Sequence, residues 1–141
     1  IHHEPCSYYQ FGDKLASEIR DHEWLLKLGI RMPALLEVDE AQERILKEFI
    51  DGPTVFDLVL QDRVKPEYVT QVEQMCRILY QNGTNIDYFP TNFVVFEDLL
   101  YYIDFECNAY MEQWNFENWG IGYWSKTPQF LAYAKEQGIE I

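Results

Sequence analysis

The sequence predicts an α+β fold, and three observations carry that expectation. Apolar residues recur at helical spacing in two long segments, Asp13–Leu28 and Lys65–Asn82. Two pairs of short apolar runs, each pair joined by a polar turn, have the form of β-hairpins. The chain has 141 residues, 48% of them hydrophobic, which is one domain's worth of core-forming sequence or part of a larger whole.

The elements follow in order. Leu15, Ile19, Leu25, Leu26 and Leu28 give the first helix an apolar side, and Gly29 stops it. Pro33 introduces a strand, Ala34–Val38, and the polar turn Asp39–Gln42 leads to a second strand, Arg44–Ile50. Asp51-Gly52-Pro53-Thr54 breaks that strand, with Pro53 suited to the start of a short helix, Thr54–Gln61. Lys65-Pro66 opens the second long helix, in which Val69, Val72, Cys76 and Leu79 form the buried stripe before Asn82-Gly83. Phe93–Phe96 and Leu99–Ile103 form the second hairpin, turned by Glu97-Asp98. The aromatic-rich segment Trp114–Trp124 reads as helical, and Thr127-Pro128 begins a last helix, Gln129–Gln137.

Composition excludes several functions. With 24 acids against 11 bases, a net charge of −13, the surface lacks the clustered Lys and Arg that nucleic acid or anionic lipid requires. The acids are scattered rather than gathered in a tail. The three cysteines, Cys6, Cys76 and Cys107, are odd in number and widely spaced, so a disulfide framework is not expected and a reducing compartment fits. His2, His3 and Cys6 are read as a chain end rather than a metal cluster. There is no long apolar run and no signal peptide, so a soluble, cytoplasmic protein is expected.

The chemistry concentrates between Asn85 and Phe105. Asp87, Asn92 five residues later, and Asp104 at a strand end form a set suited to phosphoryl transfer. An aspartate can take the proton of an attacking hydroxyl, while an Asn and a second Asp can hold the magnesium that neutralises ATP phosphates. Taken singly, an Asp in a loop is usually a turn or cap residue. The joint pattern after a long helix outweighs that reading.

The order of elements and these motifs resemble the protein-kinase-like superfamily in its compact, atypical form. Members include RIO kinases, the KEOPS kinase subunit, lipopolysaccharide sugar kinases, aminoglycoside phosphotransferases and choline kinases. Leu28-Gly29-Ile30-Arg31-Met32-Pro33 is similar to the passage after the family's regulatory helix. Leu46-Lys47-Glu48-Phe49-Ile50-Asp51-Gly52-Pro53-Thr54 is similar to its hinge. The resemblance spans about residues 13–125. It implies a remnant of the N-terminal lobe at 1–50, comprising the regulatory helix and last strands, and a helical C-terminal catalytic lobe at 51–141. By the same resemblance Asp87 is the catalytic acid, and Asn92 and Asp104 bind magnesium. Lys47, Glu48 and Phe49 offer hinge backbone to the adenine of ATP. Glu18 is the regulatory-helix glutamate, with Asp21 and Glu23 competing.

The departures are specific. Asn85 stands where the family has His, and Glu106 follows Asp104-Phe105 where regulated protein kinases have Gly. Asp-Phe-Glu is familiar in choline- and aminoglycoside-kinase-like chains. Glu106 is either a further acid near the metal or, as preferred here, a solvent-facing residue. No Gly-rich loop precedes the first helix, and Lys14 lies too close to Glu18 to be the strand lysine that pairs with it. A chain that opens at Ile1 without Met is expected to be a piece of a longer kinase, binding nucleotide poorly alone.

The leading expectation is therefore an ATP- and magnesium-dependent phosphotransferase acting on a hydroxyl, of a protein Ser or Thr or of a small molecule. The alternatives are a pseudokinase or nucleotide-binding interaction module, and an unrelated α+β interaction domain. Trp114–Trp119 is expected to pack in the core or, alternatively, to stack a sugar or cationic amine of the acceptor.

Overall fold

A computed structural model describes the backbone of residues 6–10 and residues 15–139 in full. Among the described residues the architecture is α+β, with four α-helices and three small antiparallel sheets. Strand β1 (Cys6–Gln10) is followed by helix α1 (Leu15–Leu28), then by β2 (Leu35–Asp39) and β3 (Arg44–Glu48). Helices α2 (Val55–Leu60) and α3 (Pro66–Gln81) come next. Four short strands follow: β4 (Thr84–Ile86), β5 (Phe93–Phe96), β6 (Leu99–Tyr102) and β7 (Cys107–Ala109). Helix α4 (Pro128–Glu136) closes the fold.

Strand β3 is central in the first sheet, antiparallel to β1 on one side and β2 on the other. Its alternation is decisive. Ile45 and Lys47 are buried while Arg44, Leu46 and Glu48 are not, so the period of 2 turns Lys47 inward with Ile45. Helix α1 buries Leu15, Glu18, His22 and Leu25. Those positions fall on one helical stripe, which carries two polar residues into the interior. Gly29, at φ +91°, ends the helix. Its N–H reaches the Leu26 carbonyl at 3.0 Å and the Ile30 N–H reaches Leu25 at 3.1 Å, which satisfies two orphan carbonyls.

The segment after α1 is strapped to the second half of the chain. The Tyr102 N–H donates to the Arg31 carbonyl at 2.9 Å, and Arg31 donates from its side chain to the Leu100 carbonyl at 3.3 Å. The Asp51–Thr54 passage lies directly on β5. The Val95 N–H donates to the Pro53 carbonyl at 3.0 Å. A Cβ placed on Gly52 would lie 2.0 Å from the Val95 carbonyl oxygen, so only glycine allows that approach. The core beneath these straps is strongly aromatic. Phe93, Tyr102, Phe105, Phe116 and Phe130 are fully buried, each worth about 1.5–3 kcal/mol in apolar burial.

The Glu97-Asp98 turn of the β5–β6 hairpin has both residues at positive φ, as two-residue hairpins require. Asp98 repays the strain by contacts to α3, accepting from Tyr68 at 2.8 Å and Lys65 at 3.0 Å.

Three expectations change. Strands β1, β4 and β7 are additional to the two hairpins read from sequence. They are short, and their pairing partners are distant in the chain. The second strand ends at Glu48 rather than Ile50. Trp114–Trp124 is not an α-helix: it runs through turns, with 3-10 helix at Glu112–Trp114 and Gly120–Tyr123. Asn115, extended at φ −75° and ψ 173°, interrupts the run; its side chain accepts from the Asn118 N–H at 2.8 Å and its carbonyl from Trp119 and Gly120, the bonds of one short capped turn. His2, His3, Lys14 and the expected helix start at Asp13 lie outside the described residues. Among the described residues no helix is long and apolar enough to cross a membrane.

Candidate functional site

Two short ladders assemble the acids. In the first, β4 pairs with β7 and Ile86 stands opposite Cys107. The next residue in one direction is Asp87 and in the other Glu106, so the two carboxylate-bearing positions flank the end of one ladder. In the second, β5 pairs with β6 and Phe93 stands opposite Tyr102. Asn92 precedes that pair and Ile103 follows it, and the Ile103 N–H donates to the Asn92 carbonyl at 2.9 Å. Asp104 is the next residue. Antiparallel pairing, not sequence proximity, thus gathers Asp87, Asn92, Asp104 and Glu106.

Tyr102 ties the ladders together. Its buried hydroxyl accepts from the Asp87 N–H at 3.3 Å and donates to the Glu106 carbonyl at 2.7 Å. Asp87 is exposed at the cleft, and its Oδ1 accepts from the Phe89 N–H at 3.1 Å, which fixes the carboxylate. Asn92 donates from Nδ2 to the Asp87 carbonyl at 3.3 Å. Asn85, in the position preceding by two, donates from Nδ2 to the Met111 carbonyl at 3.0 Å rather than supporting Asp87.

Helix α1 brings a further acid from far away in sequence. Carboxylate oxygens of Glu18, Asp104 and Glu106 all lie within 4.8 Å of one another. Glu18 is only 7% exposed, and its Oε2 has no hydrogen-bond partner. Burial, then the charges of Asp104 and Glu106, raise its pKa to about 7. Burial, then Glu106, likewise raise Asp104, against a backbone hydrogen bond from Glu106. Asp21 and Glu23 do not join this cluster: Asp21 accepts from the Cys107 N–H at 3.3 Å, and Glu23 is exposed. Glu106 is solvent-facing as expected, yet its carboxylate still reaches the other two.

Lys47, expected to offer backbone at the hinge, also has a side chain that enters the site. Its side chain is buried, and Nζ donates to the Ile103 carbonyl at 2.7 Å. The same Nζ stands 4.3 Å from the centroid of Phe105, whose ring packs 4.0 Å from His22. Phe105 is thus held between a lysine of β3 and a histidine of α1, which pins the residue next to Asp104. Burial lowers the pKa of Lys47, and the charges of Asp104 and Glu18 oppose that fall. Burial lowers His22 as well, against the hydrogen bond to the Pro33 carbonyl, so it packs as a neutral ring.

The backbone of the expected hinge is partly engaged. The Glu48 N–H donates to the Ala34 carbonyl at 2.8 Å, and the Ala34 N–H donates back to the Glu48 side chain at 3.1 Å. Lys47, Glu48 and Phe49 nevertheless line a cavity of about 190 Å3 with Thr54, Val94 and Ile103. A cavity of about 410 Å3 opens on the other side of the acids, lined by Asn85, Asp87, Glu106, Met111, Trp114 and Trp119. Trp114 is 51% exposed and meets Trp119 edge to face at 5.9 Å; Trp119 also packs against the core, in which Phe116 is fully buried, so the segment is core at Phe116, cavity wall at Trp114, and both at Trp119. A third cavity, of about 400 Å3 between α2, α3 and Trp124, lies away from this chemistry.

The cluster offers only carboxylate oxygens, a hard donor set, and one of them is buried without a partner. Hard divalent cations take such all-oxygen donor sets, and these three carboxylates are the residues here that could hold one. The alternation Ile45-Leu46-Lys47-Glu48 was the available signal for Lys47, and the stripe Leu15, Glu18, His22, Leu25 was the signal for Glu18. The chain matches no protein-family model, and no curated protein matches its sequence.

Proposed function

We propose that this chain carries the acceptor- and metal-holding part of an ATP- and magnesium-dependent phosphotransferase of protein-kinase-like fold, moving the γ-phosphate to a hydroxyl. The observation that carries this reading is the joining of Asp87, Asn92 and Asp104 by two adjacent ladders tied through Tyr102. Bound magnesium would supply neutralisation of phosphate charge. Asp104 and Asn92 would hold it, with Glu18 and Glu106 as additional oxygen donors.

The chain's own residues then divide the work. Asp87 orients the acceptor hydroxyl and receives its proton, because its carboxylate is held at the cleft by the Phe89 N–H. Phe105, clamped between His22 and Lys47, keeps Asp104 in register. The hinge-lined cavity is the place for an adenine, and the larger cavity is the place for the acceptor. Two carboxylates and a tryptophan pair on that acceptor wall favour a cationic acceptor over an anionic one. Catalysis of this kind is mostly positioning and charge stabilisation.

A second reading, a nucleotide-binding interaction module without turnover, draws support from Asn85, whose amide is engaged with Met111 and not with Asp87. One experiment separates the two. Transfer of labelled γ-phosphate by the full-length protein should be lost in Asp104→Ala and in Asp87→Asn. Nucleotide binding with no transfer by the wild type would favour the module. Transfer undiminished in Asp104→Ala would overturn the site assignment.

A further inference from the structure

Lys47 is, among the described residues, the one buried Lys or Arg, at 6% exposure. An inward position on a central strand would normally hold an apolar residue, as Ile45 does two residues earlier. Burying an ammonium there is costly unless charges and hydrogen bonds compensate. The compensation visible is the Ile103 carbonyl, the Phe105 ring face, and the nearby charges of Asp104 and Glu18. Three clustered carboxylates against this ammonium still leave the locality acidic, so the lysine is set where cationic ligands are welcome and a polyphosphate needs every positive charge supplied.

The placement is also at a boundary. Lys47 lines the hinge cavity with Val94, Thr54 and Ile103, and the charges of Asp104 and Glu18 act on it. A nucleotide whose base occupied the cavity would carry its phosphates toward Asp104 and Asn92, past this ammonium. The β1–β3 register puts Lys47 directly across from Ser7, on the strand that precedes α1. That strand, Cys6-Ser7-Tyr8-Tyr9-Gln10, contains no lysine or arginine. The positive charge is available one strand over.

We propose that Lys47, delivered from β3, is the phosphate-binding lysine of this chain, its ammonium held on the Ile103 carbonyl and the Phe105 ring, the two residues that flank Asp104, to receive the nucleotide's phosphates. The proposal rests on the phosphotransferase reading above and deepens it. Absence of a lysine from β1 is then no sign of a dead site. The residue acts through its charge on bound phosphate and through its hold on the Ile103–Phe105 backbone, and the two contributions differ in what replaces them.

The test is affinity labelling of the full-length protein with a biotin-bearing acyl phosphate of ATP. The amine of a lysine at the phosphates attacks the acyl carbonyl. An amide forms, the carbonyl–phosphate oxygen bond breaks, ATP leaves, and the amine's proton goes to solvent. Mass spectrometry should find the label on Lys47, suppressed by excess ATP. Lys47→Met should weaken Mg-ATP binding roughly 10- to 100-fold, the range expected for a lost hydrogen bond to a charged group. Lys47→Arg should keep most of the affinity. An ATP-suppressed label on a different lysine, or Lys47→Met binding Mg-ATP as the wild type does, overturns this proposal and leaves the phosphotransferase reading standing. No ATP-suppressed label together with no ATP binding by the wild type overturns both. The wild-type label needs no variant, so a Lys47→Met protein that failed to fold would not weaken the test.

Discussion

Replacing Glu18 with glutamine separates what this acid does for the site from what it costs the fold. Glu18 is 7% exposed, lies within 4.8 Å of the carboxylates of Asp104 and Glu106, and leaves Oε2 without a partner. Its carboxyl titrates near 7 rather than the ordinary 4.5, chiefly through burial. Each tenfold change in proton affinity is about 1.4 kcal/mol, which sets a ceiling of about 3 kcal/mol. Solvent at the exposed Glu106 carboxylate screens part of this, leaving about 2 kcal/mol. The folded-state value is the raised one, so the folded chain keeps the proton to higher pH than the unfolded chain. Its stabilising contribution is complete below pH 4.5 and is lost as pH rises through about 7. Glutamine has no such loss, and its amide nitrogen gains two acidic acceptors. The melting temperature of Glu18→Gln should therefore match the wild type near pH 4.5 and exceed it by roughly 6 °C at pH 8 in metal-free buffer. Scanning calorimetry across that range is the assay. A difference that does not change with pH, or a variant that melts lower at pH 8, would refute the reasoning.

Two further outcomes follow from the same contacts. Tyr102→Phe removes the hydroxyl between the Asp87 N–H and the Glu106 carbonyl, leaving a buried carbonyl without its donor. It should cost about 1–2 kcal/mol in chemical denaturation and slow phosphate transfer, and an unchanged denaturation midpoint would contradict the bond. Gly52→Ala places a methyl 2.0 Å from the Val95 carbonyl oxygen, so the strap must leave β5. The expected loss is about 2–3 kcal/mol by the same assay, with nucleotide affinity falling alongside, and a neutral substitution would show that the strap is slack.

What the sequence revealed depended on range. Helices α1 and α3 and the β5–β6 hairpin were legible because their signals are local: a helical stripe, a stop at Gly29, a two-residue turn at Glu97-Asp98. Asp87, Asn92 and Asp104 stood out because their spacing is fixed by one loop and one hairpin. The β4–β7 ladder was not legible, since three-residue strands separated by about twenty residues carry almost no periodicity. That ladder sets Glu106 beside Asp87, a neighbourhood that no local signal carries, and Glu106 is both exposed and part of the acid cluster. The side chain of Lys47 was legible only through the alternation that buries Ile45 and Lys47 on one face, a signal two residues long inside a five-residue strand. Trp114–Trp124 breaks into turns because Asn115 is extended in mid-segment, where its side chain caps a fresh turn instead of continuing the one before it.

The central claim is that the Asp87–Asn92–Asp104 cleft holds nucleotide through magnesium. Titration calorimetry of ATP into the full-length protein, with and without magnesium, tests it most directly in the wild type and in Asp104→Ala. The account predicts ATP binding that requires magnesium and disappears in Asp104→Ala while that variant's melting curve stays cooperative. ATP binding that ignores both magnesium and Asp104, or no ATP binding by the wild type at all, would contradict it.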